Sequence, residues 1–246
     1  MIHFIIPLYN NGAILTECIT RIDNFLKTNL HDEYEIILTD DGSTDDTFII
    51  AQRYSGSKPR IKVMGYKNNK GRGYAIKFAG NVCNGNFIIY MDLDFPKTTE
   101  LSRLMEMVAL LGDSDVVIGS RFLSGSRIDR FPLRALISKI YRLLARLIFP
   151  ELKVHDIDVG FKGFKTSCFK EVNLCSKIDG WAWDLEFLAI ARAKDKVIKE
   201  FPIDWKEKYS GYSSAVNIFK DSFEQLLGMI NIRLRSLNKF QKSSII

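Results

Sequence analysis

Short apolar runs alternate with stretches of helical period through the first half of this chain, and few architectures accommodate that alternation. Residues 2–6, 34–39, 61–64, 87–92 and 115–118 read as strands, and residues 13–27, 44–54, 73–82 and 98–111 as helices. In the first helix Ile14, Cys18, Ile22 and Phe25 recur at helical spacing. Ser43-Thr44-Asp45 supplies N-cap chemistry for the second helix, and Thr98 or Thr99 for the last. Strands separated by helices of this length imply βαβ units and a parallel, Rossmann-like α/β sheet. Ligands of such sheets bind at the carboxyl ends of the strands. Pro7-Leu8-Tyr9-Asn10, Asp40-Asp41, residues 70–73 and residues 92–94 are therefore expected to face one crevice.

Two of those strand ends are acidic. Asp92-Leu93-Asp94 closes the run Phe87-Ile88-Ile89-Tyr90, and side chains alternate along a strand, so both carboxylates fall on one face. Two hard oxygen donors suit Mg²⁺ or Mn²⁺ bound together with substrate phosphates. Alone, such a pair is more often a solvated turn. The earlier segment Ile36-Ile37-Leu38-Thr39-Asp40-Asp41-Gly42-Ser43 repeats the pattern, and two acidic strand ends in a βαβ context point to a nucleotide–metal site.

At 246 residues, 46% of them hydrophobic, the chain can build one α/β domain or two small ones. No apolar stretch approaches the roughly 20 residues of a bilayer span. No basic leader precedes an apolar core at the N-terminus, so a cytoplasmic protein is expected. Cys18, Cys83, Cys168 and Cys175 lack C-x-x-C spacing and read as reduced structural thiols rather than zinc ligands. His3, His31 and His155 show no ligand spacing either. A formal charge of +6 asks for an anionic partner.

The second half changes character. Residues 132–149 lie between two prolines without a glycine and read as one helix. Leu133, Leu136, Ile137, Ile140, Leu143, Leu144 and Leu147 share one face. Arg134, Lys139, Arg142 and Arg146 occupy the other, with Arg130 just upstream. A basic amphipathic helix of this kind is a candidate for a membrane interface; the plainer alternative packs its leucines on the sheet. Nucleic-acid binding is disfavoured, because no aromatics interleave with the basic residues for base stacking. Residues 216–237 form a second mixed segment. Residues 1–235 read as a single domain and residues 236–246 as a frayed tail.

In order and spacing these segments resemble glycosyltransferase family 2, the nucleotide-sugar transferases of GT-A fold. Phe4-Ile5-Ile6-Pro7-Leu8-Tyr9-Asn10, Thr39-Asp40-Asp41-Gly42-Ser43-Thr44-Asp45, Asn69-Lys70-Gly71-Arg72-Gly73-Tyr74-Ala75 and Asp92-Leu93-Asp94 carry the resemblance. Five further segments are similar to the polyprenyl-phosphate sugar synthases: residues 117–122, Arg134 with Ser138, residues 156–162, Gly180-Trp181-Ala182-Trp183-Asp184-Leu185-Glu186, and residues 200–205. The resemblance implies a GT-A sheet with a C-terminal amphipathic-helical extension, peripheral on the cytosolic face of a membrane. It implies transfer of one hexose from a nucleotide-sugar donor to dolichyl or undecaprenyl phosphate, inverting and dependent on Mg or Mn. UDP-glucose is the first donor and GDP-mannose the second. A non-lipid glycan acceptor, a silent binding module and a membrane-spanning partner subunit remain open.

By the same resemblance, Pro7, Tyr9, Asn11, Asp40, Asp41, Lys70, Arg72 and Asp92 would hold the nucleotide sugar, with Tyr9 on the base and Asp41 on a base N–H. Asp92 and Asp94 would hold the metal. Arg121, Arg134 and Ser138 would hold the acceptor phosphate, and guanidinium forks suit phosphate oxygens. Asp156, Asp184 and Glu186 match acidic catalytic positions that orient acceptor or sugar, and Trp181 and Trp183 are candidates for stacking. Asn11 stands where many relatives carry an acid. Phe95-Pro96-Lys97 lacks the polar third ligand of mannosyl relatives, and no Q-x-x-R-W motif of processive synthases occurs.

Overall fold

The computed structural model describes residues 1–129, 131–206 and 218–240, with the backbone alone at Pro96, Arg134, residues 218–221 and residues 237–240. The first half follows the expected alternation: β1 (Ile2–Leu8), α1 (Gly12–Asn29), β2 (Tyr34–Asp40), α2 (Thr47–Ser55), β3 (Ile61–Gly65), α3 (Arg72–Val82) and β4 (Phe87–Met91). Then come α4 (Phe95–Thr98), α5 (Arg103–Leu111), β5 (Val116–Ser120), β6 (Ile128–Asp129) and α6 (Pro132–Ile148). The described chain ends with β7 (Phe161–Lys165), α7 (Thr166–Asn173), α8 (Trp183–Ala193), β8 (Ile198–Pro202), β9 (Trp205–Lys206) and α9 (Ile218–Phe240).

Seven strands form the central sheet in the order β3-β2-β1-β4-β7-β5-β8, and β6 pairs with β9 alongside. β1 pairs in parallel with both β2 and β4, which brings Leu8, Asp40 and the end of β4 to one edge. The sheet is not wholly parallel, as the alternation had suggested. β7 runs antiparallel to β4 and β5, with Phe161 opposite Met91. Its sequence, Phe-Lys-Gly-Phe-Lys, carries two lysines and a glycine, so no apolar run announces it. It survives as a central strand because Lys162 finds buried partners and Gly163 makes room for Met107 and Leu111.

Three boundaries also differ from expectation. The single helix over 98–111 is two, because Thr99 is extended and its hydroxyl donates to the Asp204 carbonyl at 3.0 Å. Thr44 is drawn off to Asn10, so α2 starts at Thr47, whose N–H is taken by Asp45. α9 continues to Phe240, so the tail assigned to 236–246 begins as helix; residues 241–246 lie outside the described residues.

Candidate functional site

The two acids ending β2 divide their work. Asp41 is buried, and its carboxylate accepts from the Tyr66 hydroxyl at 2.8 Å, the Asn69 amide at 3.0 Å, the Lys70 N–H at 2.8 Å and the Gly71 N–H at 2.9 Å. Burial pushes its pKa up, against those hydrogen bonds. Asp41 therefore anchors the loop before α3 and has little capacity left for a base N–H, the contact expected of it. The N–H groups of Lys70 and Gly71 are spent the same way rather than on phosphate. Gly71 sits at φ +101°, which no other residue takes readily. The oxygen with room is Asp40 Oδ1, which is buried and has no hydrogen-bond partner among the described residues. Asp40 Oδ2 accepts the Ser43 N–H at 3.0 Å.

Asn10 and Asn11 lace the opening turn. Asn10 Oδ1 accepts from the Thr44 N–H, while Asn11 Oδ1 accepts from the Tyr9 N–H and its own N–H donates to Thr47. Tyr9 is left 36% exposed at the rim, with half-buried Pro7 behind it. Lys70 lies over the Tyr74 ring at 4.3 Å.

Behind Asp92 stands a chain of charges. Arg72 approaches Asp92 Oδ1 with Nη1 at 3.5 Å and holds Asp184 with Nη2. Asp184 Oδ1 also accepts from the Lys162 ammonium at 2.6 Å and from the Tyr90 hydroxyl. Lys162 further donates to the Val159 carbonyl at 2.7 Å. Burial opposes the charge of Arg72, yet Asp184, Tyr90 and Asp92 hold its pKa above the usual range; burial wins at Lys162 and lowers its pKa. Trp181 lies 4.7 Å from the Arg72 guanidinium, whereas Trp183 is core, packed on Tyr90, Phe169 and Phe187.

Asp92 and Asp94 are both half-buried at the crevice, and a Cβ at Gly160 would lie 1.8 Å from Asp92 Oδ2. The glycine is what gives that carboxylate its space. No group of three His, Cys, Asp or Glu side chains suited to a metal occurs among the described residues. Two carboxylates fit a hard cation whose remaining ligands are phosphate and water oxygens.

On the other side of β7, Arg121 and Asp156 meet. The Arg121 backbone N–H, Nε and Nη2 all donate to Asp156 at 2.8 Å. Burial disfavours the Asp156 charge, but Arg121 overcomes this and holds its pKa below the ordinary carboxylate range. Glu200 in turn fixes the loop by accepting from the N–H groups of His155 and Asp156. Ser138 lines the same narrow groove as Arg121; the Arg134 side chain, like all of Arg130, lies outside the described residues. Glu186 is turned away from this groove's ligands-to-be: it accepts from Ser176 and the N–H groups of Lys177 and Ile178, and forms an ion pair with Arg235 of α9.

Sequence reasoning missed Lys162, Tyr90 and Gly160. A lysine inside Val-Gly-Phe-Lys-Gly-Phe was the available signal, since a charge in a buried strand demands a partner.

The apolar face of α6 does not pack on the sheet. Leu133, Leu136, Ile140, Leu143 and Leu147 are exposed, Leu136 by 55% and Leu143 by 58%; the side toward the protein is Tyr141, Ala145 and Phe149. Ile137 and Leu144 are half-buried. Of the basic residues, Arg142 lies 3.8 Å over the Phe122 ring. α9 packs beside α6 and exposes Phe223, Leu227, Ile230 and Leu234 in a second stripe. Among the described residues no helix is long and apolar enough to cross a membrane.

A family model described as Glycosyl transferase family 2 matches residues 3–172. Glycosyltransferase AglD of Haloferax volcanii is 30% identical over 83% of this chain, which spans only 33% of that protein. Dolichol-phosphate mannosyltransferase of Pyrococcus furiosus is 35% identical over 65% of this chain and 44% of its own length. Dolichyl-phosphate beta-glucosyltransferase of Saccharomyces cerevisiae is 26% identical over 95% of this chain and 74% of its own length. Among solved structures, glucosyl-3-phosphoglycerate synthase from Mycobacterium tuberculosis, in complex with Mn²⁺, UDP and glucosyl-3-phosphoglycerate, shares the fold. Its TM-score is 0.70 at 17% identity, over 94% of this chain and 79% of that one. Mannosyl-3-phosphoglycerate synthase from Rubrobacter xylanophilus superposes with a TM-score of 0.71 at 15% identity, over 98% and 75% of the two chains.

Proposed function

The chain belongs to glycosyltransferase family 2, and from that premise we propose that it transfers one hexose from a nucleotide sugar to dolichyl or undecaprenyl phosphate at the cytosolic face of a membrane. The observation that carries the lipid acceptor is the exposed apolar stripe of α6, on the same helix as Ser138 of the Arg121 groove. A stripe left uncovered by its own protein suits the boundary between headgroups and acyl chains. The dolichyl-phosphate relatives support the same acceptor. UDP-glucose is the first donor, supported by glucosyltransferase relatives that match 95% and 93% of this chain. GDP-mannose is second, favoured by the 35% identity to the Pyrococcus furiosus enzyme.

Asp92 and Asp94 would hold the divalent ion, which when bound supplies Lewis-acid neutralisation of the departing diphosphate. Arg72, clamped by Asp184, steadies the Asp92 carboxylate. The acceptor needs no strong base, because a phosphate monoester has a second pKa of about 6 and is largely dianionic at neutral pH. Positioning and preorganised charge then carry the step, an inverting single displacement. Asp156 fixes the plane of Arg121 at the acceptor phosphate, and Glu186 ties α8 to α9 rather than touching substrate.

The test is transfer from UDP-glucose and from GDP-mannose, each with Mn²⁺, with and without a short polyprenyl phosphate, beside an Asp94→Ala control. A lipid-phosphate sugar from one donor, lost in the control, is the expected result. Transfer to a water-soluble sugar without lipid would overturn the acceptor.

A further inference from the structure

The groove shared by Arg121 and Ser138 has two polar atoms on its wall that no described residue satisfies. Tyr141 stands one helical turn after Ser138 on α6 and is only 8% exposed, yet its hydroxyl has no hydrogen-bond partner among the described residues. Asp158, across the groove on the loop before β7, has a buried Oδ1 that is likewise without a partner. Burying a hydroxyl and a carboxyl oxygen unpaired is unfavourable, and a folded chain keeps such groups where something else pairs them.

We propose that the Tyr141 hydroxyl, with the Asp158 carboxyl beside it on the groove wall, is a hydrogen-bonding subsite for the phosphate of the acceptor. The inference rests on the lipid-phosphate reading above and adds two residues to it. Tyr141 donates its O–H to a phosphate oxygen held between Arg121 and Ser138. Asp158 can serve beside an anion only if it carries a proton. Its surroundings favour that: burial first, then the Asp184 charge, push its pKa up to about 7, while Lys162 and Arg121 pull the other way. Asp156 on the same loop adds to the rise, and Arg72 of α3 and Tyr141 of α6 also lie within electrostatic reach.

The variant Tyr141→Phe removes the hydroxyl and nothing else. A neutral hydrogen bond to a charged group is worth about a tenfold change in affinity or more. The KM for a short polyprenyl phosphate is therefore expected to rise about tenfold, with the nucleotide-sugar KM unchanged. The thermal midpoint should stay or rise, because an unpaired buried donor has gone. A merely structural hydroxyl would lower stability and leave the acceptor KM where it was, and that outcome overturns the inference. Asp158→Asn, neutral at every pH, should leave the acceptor KM at or below that of the unaltered protein; a rise matching that of Tyr141→Phe overturns the companion role. If the unaltered protein transfers nothing to lipid phosphate, the reading of the acceptor fails separately. The subsite is then judged by inorganic phosphate, whose stabilisation of the protein should shrink in Tyr141→Phe; equal stabilisation of both proteins overturns it.

Discussion

Gly160→Ala is the sharpest perturbation the site offers. The added Cβ would lie 1.8 Å from Asp92 Oδ2 and 2.1 Å from Asp92 Cγ, so the carboxylate must move by well over an ångström. The backbone cannot give, because the Asp92 N–H donates to the Gly160 carbonyl at 2.9 Å, and β4 and β7 pair immediately beyond. The side chain must leave its rotamer, at about 1 kcal/mol, and surrender the 3.5 Å approach to Arg72, which keeps its closer pair with Asp184, at about 1 kcal/mol more. A loss of about 1–2 kcal/mol lowers the melting temperature by roughly 3–6 °C in a chain of this size, so the protein stays folded. Activity should suffer far more. A displacement of this size at reacting groups costs about 100-fold.

Gly163→Ala is the matched control, three residues on and inside β7. Its Cβ would meet the Met107 Sδ at 2.7 Å and Leu111 Cδ1 at 2.8 Å, the far ends of flexible side chains on α5. Overpacking there costs about 1–3 kcal/mol without reaching the carboxylates. Thermal melts and nucleotide-sugar turnover on both variants separate the two effects. Gly160→Ala with turnover within threefold of the unaltered protein, or Gly163→Ala losing as much as Gly160→Ala, would refute the placement of Asp92.

Three more outcomes follow from the same geometry. Asp158 keeps in the folded state a proton that the unfolded chain, with its ordinary pKa of 3.8, gives up; its contribution to stability is whole below about pH 4 and fades as pH rises to about 7, by at most about 4 kcal/mol. Asp158→Asn should therefore gain in melting temperature over the unaltered protein between pH 5 and pH 8, and a constant difference would count against the raised pKa. Lys162→Met strips Asp184 of one of its two cations and should lower stability in urea by about 3–5 kcal/mol, partly restored in the double variant Lys162→Met/Asp184→Asn; no loss would mean that Arg72 suffices. Leu136→Ser with Leu143→Ser removes two side chains more than half exposed, so the melting temperature should hold while sedimentation with anionic vesicles weakens by about 100-fold; unchanged vesicle binding would place the contact elsewhere.

What could be read from the sequence follows from how far each interaction reaches along the chain. The strand ends at Asp40-Asp41 and Asp92-Leu93-Asp94 announce themselves, because a short continuous apolar run and the acids that stop it are neighbours. β7 does not, because the Asp184 that makes Lys162 tolerable in a central strand lies 22 residues away and Tyr90 lies 72 away. The family resemblance marked Asp156 and Asp184 as acids that orient acceptor or sugar but not as the fixed partners of Arg121 and Arg72, since pairing across 35 and 112 residues is decided only by the fold. Asp41 shows the same limit in reverse: its chemistry fits a base N–H, and it is spent on its own loop. The helix α6 is the instructive case. Its period fixed which residues share a face but not which face the protein covers, and the buried side is Tyr141, Ala145 and Phe149 rather than the leucines. Under the lipid-acceptor proposal, a helix that turns its small and aromatic side inward offers its leucines to a second apolar phase, and the Arg121 groove on its inner flank is where the head of a molecule anchored in that phase would arrive.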